Sequence, residues 1–308
     1  MKENIDMNGK VVMITGANSG IGKETAIELA KMGANVIMVC RSRERGEKAL
    51  EEIKEMANSE KIELLIADLA DQSSIRMMVE RFKKRYDKLH VLINNAGVML
   101  TKRTTTSEGY ESTFAINHIG HFLLTNLVLD MLKASSPSRI INVSSSAHKF
   151  AKLNFDDIDN EQKYRGFRTY ANSKLFNILF SYELARRLEG TRVTVNVLHP
   201  GTIRTNLGKN NPDKLIKLLF IIFRLFMKGA KKGARTSVYL ASSPEVETLN
   251  GKYFVNRKQK KSSKISYEQT LQNKLWDISG NLTNASHFEN INLETIELLL
   301  AEKAAGEK

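Results

Sequence analysis

Short apolar runs alternate with amphipathic stretches over most of the chain. Val11–Ile14 is a continuous apolar run closed by Thr15-Gly16, the pattern of a strand buried on both faces. Gly20–Lys31 comes next, with Ala26, Leu29 and Ala30 at helical spacing, and Gly33 ends it. The alternation then repeats. Strands are predicted over Asn35–Cys40, Ile62–Ala67, Val91–Asn94, Arg139–Ser144, Arg192–Leu198 and Lys252–Val255. Between them the spacing predicts helices over Arg43–Met56, Gln72–Tyr86, roughly Ser107–Leu132, and a stretch containing Tyr170 that runs to about Leu188. Lys258–Lys264 reads as a basic, polar loop.

Strand–helix alternation of this kind builds right-handed crossovers and a mostly parallel sheet covered on both faces. The expectation is an α/β fold, a doubly wound parallel sheet of about seven strands. No Pro- or Gly-rich linker interrupts it, and the prolines are only Pro137, Pro200, Pro212 and Pro244. Residues 1–308 are therefore read as one domain, with an extension from about residue 257 to 308.

Apolar and charged contents of 42% and 26% fit a folded globular chain. The lone cysteine, Cys40, excludes an internal disulfide and suits a reducing compartment. Met1–Lys10 is polar and no run reaches the length of a membrane span, so neither a signal peptide nor a crossing helix is expected. The net charge of +13 would suit an anionic cofactor or an anionic membrane surface. The basic residues are spread along the chain without a nucleic-acid module, so no nucleic-acid partner is expected.

Candidate chemistry begins after the first strand. Thr15-Gly16-Ala17-Asn18-Ser19-Gly20-Ile21-Gly22 places three glycines between a strand and a helix. A diphosphate needs backbone N–H groups at close range and a helix N-terminus aimed at it, and side chains would block that approach. A tight turn with close helix packing would use the same glycines. At the end of the second strand, a cofactor with a free ribose 2′-hydroxyl wants an acid. Here Cys40 is followed by Arg41-Ser42-Arg43, and a guanidinium binds a 2′-phosphate that a carboxylate would repel. This favours NADP(H), the alternative being that the arginines only solvate a helix start. Asp68-Leu69 and Asn94-Asn95-Ala96-Gly97 end later strands at the same edge, Asp68 placed to meet an adenine ring.

The catalytic candidates are Tyr170 and Lys174, four apart on one helix face. A free tyrosine titrates near pH 10, and an adjacent ammonium is expected to lower that value, making the pair a proton donor to a carbonyl oxygen. His118 and His121 sit three apart without a third ligand at a sensible spacing, so they, like His148 and His199, are read as structural and no metal is expected.

Thr15–Gly22, Asn94–Gly97, Asn117, Ser144-Ser145, Tyr170–Lys174 and Pro200-Gly201 together resemble the short-chain dehydrogenase/reductase family, in its order and over nearly the whole chain. The resemblance implies a Rossmann-type fold. It implies that Tyr170 is the general acid/base, that Lys174 binds the nicotinamide ribose and tunes Tyr170, and that Asn117 holds a proton-relay water. It also implies a serine that hydrogen-bonds the substrate carbonyl. Ser145 is the choice as the second serine after Asn142-Val143, with Ser144 the runner-up. The implied cofactor contacts are Gly16, Asn18, Ser19, Gly20, Ile21, Gly22, Arg41, Asp68, Leu69, Asn95, Ala96, Gly97, Tyr170, Lys174, Pro200 and Gly201.

Asn117–Phe122, Asn142–His148, Tyr170–Phe180 and Leu275-Trp276-Asp277 further resemble the retinol dehydrogenases, as does the separation of Ser145 from Tyr170. This implies a small lipophilic alcohol or carbonyl substrate. Leu215–Met227 is apolar apart from a stripe of Lys214, Lys217, Arg224 and Lys228, within a substrate segment of about 201–235. It reads either as a helix packed on the core or as a lid that also touches membrane. The expected location is cytoplasmic, with peripheral membrane contact and homo-oligomerisation compatible with the sequence. Two other functions fit the same fold. Reduction of a ring double bond, as in the similar protochlorophyllide reductases, uses an active-site cysteine. The second is a nucleotide-sensing scaffold without catalysis.

Overall fold

A computed structural model describes residues 5–162, 164–201 and 229–285. Eight strands form one sheet: β1 (Val11–Thr15), β2 (Asn35–Cys40), β3 (Ile62–Ile66), β4 (Val91–Asn94), β5 (Ser138–Val143), β6 (Val193–His199), β7 (Lys252–Val255) and β8 (Lys258–Lys260). Their order is β3-β2-β1-β4-β5-β6-β7-β8. All neighbours are parallel except β7 and β8. The order reverses direction between β1 and β4, and there the carboxyl ends of the strands open a crevice.

Alternate residues of each strand feed two helical layers. Val11 and Met13 pack with α3 (Gln72–Lys83), α5 (Gly120–Leu127) and α7 (Gly166–Arg187). Val12 and Ile14 face the other way, against α1 (Gly20–Lys31), α2 (Arg43–Ala57) and α8 (Ala230–Ser242). Both faces are dry, which is why the strands read as unbroken apolar runs. On the first layer, α9 (Gln269–Thr283) lies across α5 and α7. Its Trp276 ring meets Phe122 edge-on at 5.0 Å and stacks on Phe180 at 5.9 Å. The Arg187 guanidinium lies 4.4 Å over the same indole.

Three expectations change. The long helix does not begin at Ser107, because Thr106–Tyr110 is a turn around Gly109, whose φ of +89° suits glycine. The Glu111 carboxylate then accepts from Phe114 N–H at 2.7 Å and starts α4 (Ser112–Phe114). Nor is the stretch from α4 to Ala134 one continuous helix. A π turn over Ala115–Ile119 precedes α5, and a break at Val128 separates α5 from α6 (Leu129–Ala134). Third, Lys258–Lys264 is not simply a loop. Asn256 and Arg257, with φ of +50° and +63°, make a two-residue hairpin turn into β8. The sheet thus has eight strands rather than seven. The apolar segment Leu215–Met227 lies outside the described residues.

Candidate active site

The crevice between β1 and β4 is lined mainly by backbone. Gly16 and Gly20 have φ of +66° and +58°. A Cβ on Gly22 would lie 2.5 Å from Asn95 Nδ2 and closer still to Gly16 O, so α1 can rise against the β4 loop only with glycine there. The N-cap of α1 is Ser19, which makes no side-chain cap, and its first turn holds no acid. The leading N–H groups of α1, from Gly20 through Ile21 and Gly22, are left to an outside acceptor. Asn18 lies in the turn before them, and its backbone bonds the Cys40 thiol.

Arg41 is exposed just past β2 and has no hydrogen bond or ion pair among the described residues, whereas Arg43 pairs with Glu47. Ser42 caps α2, so Arg41 sits just before the helix start. Asp68 caps its own turn by accepting from Ala70 N–H at 2.9 Å, and the Leu69 side chain is in the core. Asn95 is used structurally, since its Nδ2 donates to Thr15 O at 2.8 Å. The Thr15 hydroxyl accepts from both Asn95 N–H and Ala96 N–H at 2.9 Å. Pro200 and Gly201 continue β6 at the same edge, Gly201 with φ of +86°.

β5 and α7 bring the reactive groups over this edge. Lys174 is 3% exposed, and its Nζ donates to Val143 O at 3.1 Å and lies 5.8 Å from the Tyr170 ring centroid. A Cβ on Gly97 would come within 3.2 Å of that Nζ, so glycine keeps the space above the ammonium open. The two candidate serines separate cleanly. Ser144 Oγ donates to Lys174 O at 2.7 Å and is buried. The Ser145 hydroxyl instead meets the Tyr170 phenol. Burial holds the Lys174 ammonium down to about 8. The expectation that Lys174 lowers the Tyr170 value is not met. Burial raises the phenol, and only the Ser145 hydroxyl opposes it, because the ammonium is turned toward Val143 O.

Asn117 sits in the π turn with its side chain fully engaged. Its Oδ1 accepts from Val98 N–H at 2.8 Å, and its Nδ2 donates to Val98 O at 2.9 Å and Ser173 Oγ at 3.0 Å. Its main-chain carbonyl lies 3.1 Å from His121 Nδ1.

Several contributors were not legible as site residues. Thr15, His121, Asn142, Asn177 and Ser181 form buried hydrogen bonds behind the reactive groups. His148 Nδ1 lies 2.6 Å from Ser145 O, while its Nε2 accepts from Ser263 N–H at 3.2 Å. His118 is buried against Phe114, Phe176 and Phe180, with Nε2 at 2.8 Å from Ser279 Oγ. Cys40 packs into the α1–α2 layer with its thiol pushed up to about 11 by burial, and it belongs to the cofactor half. A surface cleft lined by Lys10, His90, Arg139 and Glu247 lies at the opposite end of the strands. There Arg139 is engaged in capping Leu240 O and Ser243 O.

This combination of switch-point crevice, glycine turn and Ser145–Tyr170–Lys174 cluster has close counterparts. A family model described as short chain dehydrogenase matches residues 10–215, and the chain belongs to that family, a family of oxidoreductases. Within it, the chain is similar to retinol dehydrogenases. Retinol dehydrogenase 14 of Homo sapiens is 48% identical over 288 residues, covering 89% of this chain and 86% of that protein. Retinol dehydrogenase 12 of Mus musculus is 44% identical over 276 residues, covering 90% and 87%. Among solved structures, an uncharacterised protein from Mycobacterium paratuberculosis superposes with a TM-score of 0.75 at 33% identity, covering 92% and 96% of the two chains. A short chain dehydrogenase from Escherichia coli CFT073, complexed with NADPH, shares the fold with a TM-score of 0.66 at 21% identity, over 83% and 100%. No helix among the described residues is long and apolar enough to cross a membrane.

Proposed function

We propose that the protein interconverts a lipophilic alcohol and its aldehyde or ketone with NADP(H). The observation that carries this reading is the meeting of the Ser145 hydroxyl with the Tyr170 phenol, above a buried Lys174 and an open Gly97. NADP(H), when bound, supplies or accepts the hydride. The uncapped start of α1 and the Gly16–Gly22 turn fit its diphosphate, and Arg41, without an ion pair among the described residues, fits a 2′-phosphate. Asp68, Asn95–Gly97 and Pro200-Gly201 line the remaining length of the same edge.

The chain's own groups handle the proton. Tyr170 Oη gives its proton to the substrate oxygen in reduction and takes it back in oxidation, while Ser145 Oγ hydrogen-bonds that oxygen. The raised Tyr170 value keeps the phenol protonated at neutral pH, which suits reduction. With NADP(H) bound, the Lys174 ammonium would hold the nicotinamide ribose, and from 5.8 Å off the Tyr170 ring centroid its charge would favour a phenolate as it forms. Similarity to retinol dehydrogenases supports a lipophilic substrate. So do Phe150 and Phe167, both exposed and 5.9 Å apart, which flank Ser145 and Tyr170 in sequence. The buried, protonated Cys40 on β2 gives no support to a cysteine-dependent reduction of a ring double bond.

The test is equilibrium binding of NADPH and NADH, followed by turnover of long-chain and retinoid aldehydes. NADPH is expected to bind at least about tenfold tighter than NADH, a preference abolished in Arg41→Asp. Equal affinities in the parent protein refute the cofactor assignment, and absence of turnover with every carbonyl refutes the reaction.

A further inference from the structure

We propose that His121 is a positioning residue: its neutral ring ties the main-chain carbonyl of Asn117 to the Thr15 hydroxyl, so that the proton path and the cofactor loop are set by a single side chain. The inference rests on the reading of Asn117 as part of the proton path.

Hydrogen-bond accounting fixes the ring's state. A threonine hydroxyl has two acceptor positions and one proton. Both acceptor positions of Thr15 are taken, by Asn95 N–H and Ala96 N–H. Its proton therefore points outward, and His121 Nε2 stands at 2.9 Å against 3.5 Å for Ile93 O. Nε2 must then accept and carries no proton. The remaining ring proton sits on Nδ1, 3.1 Å from Asn117 O, which can only accept. One tautomer satisfies every partner, and the imidazolium would lose the Thr15 bond. Burial and the Lys174 ammonium hold His121 down to about 4, so this tautomer persists at neutral pH.

The placement gives the bond its consequence. Asn117 lies in the π turn, where Gly120 N–H reaches Ala115 O and the helical ladder is shifted by one residue. With the Asn117 side chain saturated by Val98 and Ser173, the role read for Asn117 in the proton path falls to its carbonyl, and His121 Nδ1–H supplies that carbonyl with a side-chain donor. At the other end of the ring, Thr15 pins the two amides that lead into Gly97, beside Lys174 Nζ. A shift of the cofactor loop is thereby transmitted to the Asn117 carbonyl through one buried ring.

Two short side chains separate the halves of the bridge. Asparagine places its amide nitrogen, a donor, near the position of Nδ1, and glutamine places its amide oxygen, an acceptor for the Thr15 proton, near that of Nε2. With NADPH and the aldehyde that gives the best parent turnover, His121→Leu should lower kcat about tenfold or more and enlarge the solvent deuterium isotope effect, with KM within about twofold. His121→Asn should keep kcat within about threefold of the parent but weaken NADPH binding, and His121→Gln should do the reverse. The parent protein provides an independent reading through 15N imidazole NMR. The Nδ1–H tautomer should be seen unchanged from pH 8 to about pH 5, given a value near 4. An Nε2–H tautomer, a titration near the ordinary histidine value, or a His121→Leu variant with parental kcat and isotope effect overturns the proposal. If the parent turns over no carbonyl, the oxidoreductase reading fails instead, and the tautomer and the NADPH affinities of the Asn and Gln variants still decide this one.

Discussion

On the β1–β2 side of the sheet the strands are filled with apolar side chains; on the β4–β6 side they are threaded with buried amides and hydroxyls. Val11–Ile14 and Val36–Cys40 bury only hydrocarbon and sulfur. By contrast, Asn94 Nδ2 donates to Thr125 Oγ1 at 2.9 Å and to Asn142 Oδ1 at 2.8 Å, and Asn142 Nδ2 donates to Ser181 Oγ at 2.8 Å. Ser181 passes on to Asn177 O, and Asn177 shares the Val143 carbonyl with Lys174. The contrast arises from what each half offers. The cofactor half presents backbone N–H groups and turns, which need glycine at the surface and an inert core beneath. The catalytic half presents side chains whose charge must be held out of water, and each needs partners that are themselves satisfied.

The largest test of this contrast is Tyr170→Phe. It removes one hydroxyl and keeps the ring, so kcat should fall by about 10²–10⁴-fold while the NADPH dissociation constant stays within about twofold. Parental turnover would show that the proton comes from elsewhere. Next comes Lys174→Met. Lys174 titrates near 8 in the fold against an ordinary 10.5, so below pH 8 both folded and unfolded chains are charged and the full cost of burial, on the order of 3 kcal/mol, is present. Between those two values the unfolded chain keeps a proton that the folded chain has lost, and stability at this site rises with pH. Lys174→Met should therefore abolish turnover yet raise Tm, most at pH 7 and least near pH 10. A lowered Tm at pH 7 would mean that the Val143 contact outweighs desolvation. The smallest test compares the halves directly. Asn142→Ala takes one of its partners from Asn94 Nδ2 and the donor from Ser181 Oγ, and should cost about 1–3 kcal/mol in urea unfolding. Ile37→Val, in the apolar half, should cost about 0.5–1.5 kcal/mol. Equal costs would erase the distinction.

The same division governs what could be read in advance. Gly16, Gly20, Gly22 and Arg41 act through spacing and local conformation, which sequence order preserves. The Tyr170–Lys174 pair is legible because four residues on a helix bring it together. The Thr15–His121–Asn117 bridge is not, since Thr15 and His121 are 106 residues apart and meet only when β1 packs against α5. Ser144 and Ser145 are neighbours of one type, and only the turn of the chain after β5 sends one to Lys174 O and the other to Tyr170. The β8 strand escaped because Lys258–Lys260 is short, polar and exposed, and its turn uses Asn256-Arg257 where a glycine would have signalled it. The π turn left no mark in the apolar spacing, which continues through it.

The placement of α9 bears on how the molecule meets other copies of itself. The outer faces of the π turn, α5 and α7 carry His118, Phe122 and Phe180, a surface that would otherwise offer aromatic rings to any like surface nearby. The chain seals it with its own Trp276 and Ser279, and fastens the far end of α9 by Gln72 Nε2 to Leu282 O at 2.9 Å and Arg76 Nη2 to Thr283 O at 2.5 Å. Uncovering an indole of this kind exposes enough apolar area to cost on the order of 4–6 kcal/mol. Among the described residues, the chain thus meets this aromatic face of α5 and α7 with a helix of its own.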